Sequence, residues 1–510
     1  MEYSLEDMEK FLEQYFSAPE RLIENQLASF NHFVERRLPY VLLEKVGKFE
    51  AKVADVKIYF REVKLEKPKQ PSGSPLYPLY ARLTDQTYAG DVQAVIDVVA
   101  EGKEHTETIT LGKFPVMVRS CACWLSEMSR EDIIKLGEDP EDPGGYFIIN
   151  GNQRCIVHCI DIGDNRIICK EEGKEEKKEY IAEIFSQGIT YKTPLLPINE
   201  LSPRGKVSVR LRSNGIFVVE FPRIIAPVPL IPLVRLLGIS SDKEIFDELN
   251  IGAGDAALII LKNIEKYPLK PEKELYAEIG KYIIKFRTIE DIKARVDAIL
   301  DRFLLPHIGT TPDVREDKAR MLLFLARKTL ELRYGLREPD DKDHLMNKKV
   351  KSVSKLLEMV LEDALRQLLV DLDNQLTNYL RRHGSVKNIR IKTVLRNYIF
   401  TNAVQSRFAL GLWPDSATGV CQFMHIYNRS IILSYLRRAK AAHISRKLAH
   451  FEVRDLHGTH FGRLDPAATP ESQNLGLVLQ LALLAQITEG LHPEEDKKIV
   501  ELLRRLGVKQ

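Results

Sequence analysis

Eight Lys/Arg residues stand between positions 429 and 463 (Arg429, Arg437, Arg438, Lys440, Arg446, Lys447, Arg454 and Arg463), against two acids, Glu452 and Asp455. Four histidines, His443, His450, His457 and His460, share the stretch. The whole chain carries a net charge of only +3, so the positive charge is concentrated locally. Cations interleaved with His and Phe and punctuated by glycine suit a polyanion: charge for phosphates, flat groups for bases, close backbone approach. A solvated helix face is the commoner fate of a charge run. Here the charges sit among loop-forming residues rather than at helical spacing.

Other reactive groupings read as structure. His457-Gly-Thr-His460, with Asp455 or Asp465, makes at most half a metal site, because Gly458 weakens the helix that His-x-x-His ligation uses. Cys121-x-Cys123 has atypical spacing for zinc, and Cys155, His158, Cys159 and Cys169 fall in alternating apolar residues of strand character. Buried, reduced thiols are expected, and no metal. Asp340, Asp341 and Asp343 crowd a polar turn beside Lys342 and His344. No Asp-x-Asp-x-Asp cluster and no phosphate-cradling Gly-x-x-x-x-Gly-Lys-Ser/Thr loop occurs.

A large scaffold must place these groups. At 510 residues, 44% hydrophobic and 29% charged, the chain has room for roughly two to four globular domains. The acidic start, Met1-Glu-Tyr-Ser-Leu-Glu-Asp, lacks the apolar core of a secretion signal. The apolar run 224–234 is broken by Pro227, Pro229 and Pro232, and 477–487 is too short to span a bilayer. A cytoplasmic protein with no membrane partner is expected.

Leu22, Gln26, Phe30 and Phe33 predict one face of a helix over 22–34, and stretches 53–63, 92–100, 114–118 and 146–149 predict strands. Asn150-Gly151 predicts a hairpin turn. The charged run 169–179 predicts an exposed turn at a domain boundary. Strands follow at 187–192, 206–211 and 215–220, then mostly helix over 241–335. Leu356, Val360, Leu365, Leu368, Leu369 and Leu372 predict a long helix over 352–380. An apolar helix is expected over 475–484, packed on a partner chain, and a capped helix near 492–507.

Several strings resemble one family. Leu433-Ser-Tyr-Leu-Arg-Arg438, Phe451-Glu-Val-Arg-Asp-Leu-His-Gly-Thr-His-Phe-Gly-Arg463 and Pro466-Ala-Ala-Thr-Pro-Glu471 resemble the fork region of the second-largest (B/β-type) subunit of multisubunit DNA-directed RNA polymerases. Leu22–Phe33, Ala81–Ala89, Leu111–Ser120, Gly144–Gly151, Ile308–Pro312 and Arg337–His344 follow in the family's order. The resemblance spans the chain but only the N-terminal half of the family, as in the split archaeal B″ subunit.

That resemblance implies a mixed α+β fold: a protrusion (1–170 and 346–400), a lobe (171–345), a fork (401–490) and a C-terminal helix (491–510). It implies a transcription subunit, part of a nucleotidyltransferase, that lines one side of the DNA cleft and is inert alone. Implied partners are a C-terminal B′-type fragment, the largest subunit, smaller subunits, DNA and RNA. Magnesium would be held by the largest subunit and none by this chain. Nucleic-acid contacts implied by the motif positions are Gln422, Arg437, Arg438, Arg446, Lys447, Arg454, His457, Arg463 and Glu471, with Arg454, His457 and Arg463 equally readable as internal supports. Where the family has Glu and Gly-Pro in its Pro-x-Glu-Thr-Pro-Glu-Gly-Pro-Asn string, this chain has Ala468 and Ser472-Gln473. The rival reading is therefore a truncated, non-catalytic paralogue that binds polymerase subunits or DNA.

Overall fold

The computed structural model describes residues 4–16, 19–173, 177–188, 204–283, 289–411, 413, 419–441, 444, 451–489 and 493–507. Mixed α+β structure divides into two compact units: residues 1–161 with 350–510, and residues 162–349. The exchange points lie at 161 and 350 rather than at 170 and 346. Asp161 and Lys351, both buried, pair at 3.0 Å within the first unit.

The first unit is built on an antiparallel sheet of strands Lys48–Glu50, Val56–Leu65, Ala89–Ala100 and Lys103–Pro115, adjacent in that order. Val92, Ala94, Ile96, Val98 and Ala100 are buried at every second position, so the sheet has one core face. The last strand ends at Pro115, earlier than the expected 114–118. The expected leucine helix is Val353–His383, and all six periodic residues are buried. Leu22, Gln26, Phe30 and Phe33 are buried too, the first on a 3-10 turn Pro19–Ile23, the next two on helix Glu24–His32 and the last in the π turn Phe33–Arg37 that follows. Phe33 stacks on Phe114 (5.2 Å between centroids) and Phe147 meets Phe408 edge-on (5.0 Å), joining helices to strands.

Asn150 (φ 48°) and Gly151 (φ 74°) close the hairpin of Phe147–Ile149 and Asn152–Ile156, the primed two-residue turn that their sequence predicts. Asn152–Ile156 also pairs with Cys421–Phe423. Beside it, Arg438–Ala441 runs parallel to His158–Ile162 and antiparallel to Val478–Gln480. Here the expected helix over 475–484 is overturned: Gly476 sits at φ 69° and Val478–Gln480 is strand. An apolar run reads equally as either element, and pairing with a strand 40 residues upstream decides it.

The second unit has a five-stranded antiparallel sheet, in the order Val228–Pro229, Phe217–Glu220, Gly205–Leu211, Glu179–Ser186 and Ile167–Glu172. Its core joins Ala182, Ile184, Val207 and Val209 to Leu322, Leu323 and Ala326 of helix Arg315–Arg333. Of the charged stretch 169–179, residues 169–172 and 179 lie in paired strands of this sheet, away from the unit boundary at 161, and 174–176 lie outside the described residues. Of the strand expected at 187–192, residues 187 and 188 are not strand, and 189–192 lie outside the described residues. No helix among the described residues is long and apolar enough to cross a membrane.

Candidate nucleic-acid interface

The basic segment is held between three short strands and one helix, Arg429–Leu436, whose cap Asn428 accepts a hydrogen bond from the Ile431 amide at 2.8 Å. Where the helix stops, two arginines diverge. Arg437 is 7% exposed. Its guanidinium donates to the carbonyls of Leu22 (2.6 Å), Leu483 (2.8 Å) and Ala482. That geometry ties the N-terminal helix to the segment after Val478–Gln480, and leaves the group in the interior.

Gln26 and His158 complete the buried knot. Gln26 Nε2 donates to the carbonyls of Leu436 (2.9 Å) and Ile156 (3.0 Å). Fully buried His158 lies 3.5 Å away. Burial first, then the nearby Arg437 charge, pushes its imidazole down to about 4.

Arg438 turns the other way. It is partly exposed, lies 4.2 Å over the Tyr435 ring and donates to Gln422 Oε1 at 3.1 Å. Gln422 in turn donates to the Gly419 carbonyl. Most of the five guanidinium donors stay uncommitted among the described residues. Around this pair runs an exposed aromatic strip that the basic spacing did not signal. His425 stacks on Tyr427 (5.8 Å, 6° between planes) and meets Tyr435 at 6.2 Å; Tyr427 is 80% exposed. Exposed Phe423 carries the Arg154 guanidinium 3.7 Å over its ring. The alternation Phe423, His425, Tyr427 was visible in the sequence, but only pairing with Asn152–Ile156 brings Arg154 beside it.

The rest of the motif is a braced loop. Arg454 donates to the carbonyls of Gln473 (2.9 Å) and Leu475 (2.8 Å), and its backbone lies so close to Gly476 that a Cβ there would collide. Asp465 Oδ1 accepts the amides of Ala467 and Ala468, and Thr469 Oγ1 links the Gly476 amide to the Val478 carbonyl. Ser472 holds φ 70°, a left-handed conformation that glycine adopts more cheaply. His457 caps the turn Gly458–His460 through Nδ1. Arg463 and Glu471 are exposed. Arg446 and Lys447 lie outside the described residues.

Nothing metal-like assembles: among the described residues no group of three or more His, Cys, Asp or Glu could hold an ion. Asp340 accepts the Cys169 amide and pairs with Arg337, and Asp343 pairs with Lys348, so the acid-rich turn is spent on structure. Burial pushes the Cys155 and Cys421 thiols up to about 12. The described arrangement offers charge and flat rings.

The family model described as RNA polymerase beta subunit matches residues 21–401, and that of RNA polymerase Rpb2, domain 3, matches residues 422–487. The chain is 32% identical to DNA-directed RNA polymerase subunit Rpo2N of Methanocaldococcus jannaschii, over 98% of this chain and 99% of that protein. It is 32% identical to Rpo2N of Halobacterium salinarum, over 99% and 96%. Against subunit Rpo2 of Saccharolobus shibatae, 31% identical, 99% of this chain covers 43% of the longer protein. Two cores, one braced motif and near-full-length similarity place the chain in the family of second-largest RNA polymerase subunits, as the N-terminal half of the split archaeal form.

Proposed function

We propose that this chain serves DNA-directed RNA polymerase by presenting the strip Phe423, His425, Tyr427, Tyr435, Arg438 and Gln422 to nucleic acid. The observation that carries the reading is the contrast at positions 437 and 438: one guanidinium is used up inside the protein, the other lies at the surface among rings. Exposed rings beside a guanidinium suit unpaired bases and their phosphates. Exposed Arg463 and Glu471 would add contacts of their own, while Arg454 and His457 act as supports of the loop that carries them.

The finer assignments go with it. Residues 162–349 act as the lobe, the remainder as protrusion and fork. The chain works in the cytoplasm and completes the subunit with a C-terminal B′-type fragment, then joins the largest and smaller subunits. Phosphoryl transfer would use magnesium held by the largest subunit, and this chain alone synthesises no RNA. A photo-crosslinking residue at Tyr427, in polymerase reconstituted from all subunits, should label RNA or template during elongation. Labelling of protein alone would overturn the assignment.

Ala468 and Ser472 favour a second reading, the non-catalytic paralogue. Robust elongation by polymerase reconstituted with the unaltered chain excludes it. Intact assembly without synthesis, unrescued by Ala468→Glu with Ser472→Gly, favours it.

A further inference from the structure

A second concentration of charge lies outside the strip. Between Asp373 and Asp415 the sequence has no acid and seven Lys/Arg: Arg381, Arg382, Lys387, Arg390, Lys392, Arg396 and Arg407. Arg407 is spent on Asp363 at 2.7 Å, and Arg396 on Gln375 (3.1 Å) and Asp371 (3.7 Å). The other five are exposed and close no ion pair within 4 Å among the described residues, although the Lys387 charge reaches Glu101.

Arg381 and Arg382 sit in the last turn of helix Val353–His383, where cations complement the helix dipole. That role does not extend to Lys387, Arg390 and Lys392, which lie beyond the left-handed Gly384 that ends the helix. The nearby acids hold backbone. Glu101 accepts the Ser385 hydroxyl (2.6 Å) and the Val386 amide (2.9 Å), and Glu107 accepts the Ile391 amide (2.6 Å). The loop is thereby fixed with its cations outward.

We propose that this tip, Arg381 to Lys392, binds the phosphate backbone of duplex nucleic acid without reading sequence, independently of the strip at 422–438. Three of the five cations are arginines, whose planar forks fit phosphate. No large apolar residue is exposed between Val370 and Tyr398, so the apolar centre that a protein interface uses is missing. A single strand would use free rings, whereas Tyr379 is stacked on His383 at 4.1 Å.

The test measures binding of a short labelled duplex DNA to the full chain by fluorescence anisotropy across a salt series. With Arg381, Arg382, Lys387, Arg390 and Lys392 all replaced by Gln, the slope of log affinity against log salt should shrink by about 4, near 0.9 per phosphate. The triple variant Lys387→Gln, Arg390→Gln, Lys392→Gln leaves the helix end intact and should lose about 2–3. Arg438→Ala with Arg463→Ala should keep this share of the slope, so failure of the strip and failure of the tip are separable. An unchanged slope in a variant of unchanged melting temperature overturns the proposal. So does competition by polyglutamate equal to that by DNA of the same charge, which would point to an acidic protein.

Discussion

Removing the Arg437 guanidinium leaves the buried carbonyl of Leu22 without its donor, and with it the partly buried carbonyls of Ala482 and Leu483. Arg437→Ala should therefore cost about 2–3 kcal/mol, read by chemical denaturation, with little change in the salt dependence of nucleic-acid binding. Arg438→Ala should do the reverse: little loss of stability and a salt slope smaller by about 1. Buried His158 adds a pH dependence. Its folded value, about 4, lies below the ordinary 6.5, so the unfolded chain takes up the proton first as pH falls. The stability is full above pH 6.5 and is lost progressively toward pH 4, by about 3 kcal/mol. His158→Gln should flatten that part of the melting-temperature profile; an equally steep profile would assign it elsewhere. Sequence reading found Arg437 and Arg438 as a pair but not their division, because Leu22 lies 415 residues away along the chain.

Elements with dense local signals were legible: the leucine spacing of Val353–His383, and Asn150-Gly151 with its forced turn. Val478–Gln480 was not, because its neighbours Leu475 to Leu484 have helical and extended character alike and a distant strand decides between them. The aromatic strip was missed for the same reason, since Arg154 and Phe423 meet only across strands. The braced loop at 465–476 yields a contrast of opposite signs. Gly476→Ala forces a Cβ against Arg454 at φ 69° and should cost about 2–3 kcal/mol, with faster amide exchange over 454–476. Ser472→Gly relaxes a left-handed residue and should gain about 0.5 kcal/mol.

At the scale of the molecule, apolar side chains stand exposed over residues 483–506, although the apolar helix expected at 475–484 does not form. Leu483 and Leu484 remain half exposed after the strand, and helix Pro493–Arg505 presents Ile499, Val500, Leu502 and Leu503 to solvent, with Leu506 just beyond its end. Such a face makes the isolated chain prone to associate with itself. Sedimentation velocity should show concentration-dependent growth in mass, abolished by Leu502→Glu with Leu503→Glu. A monomer at every concentration would show that the face is covered.

The division of the chain has a consequence in time. Residues 162–349 hold a complete sheet and core, so this segment can fold as soon as the ribosome has released it. The first 161 residues cannot finish: Gln26 has no Leu436 carbonyl and Asp161 no Lys351 until the far segment emerges. At roughly 5–20 residues per second, that wait lasts on the order of tens of seconds. During it, a four-stranded sheet still without helix Asn397–Leu410 against its last strand is the natural client of a chaperone. The inserted unit, made in one piece, reaches its final form before the portion that began first.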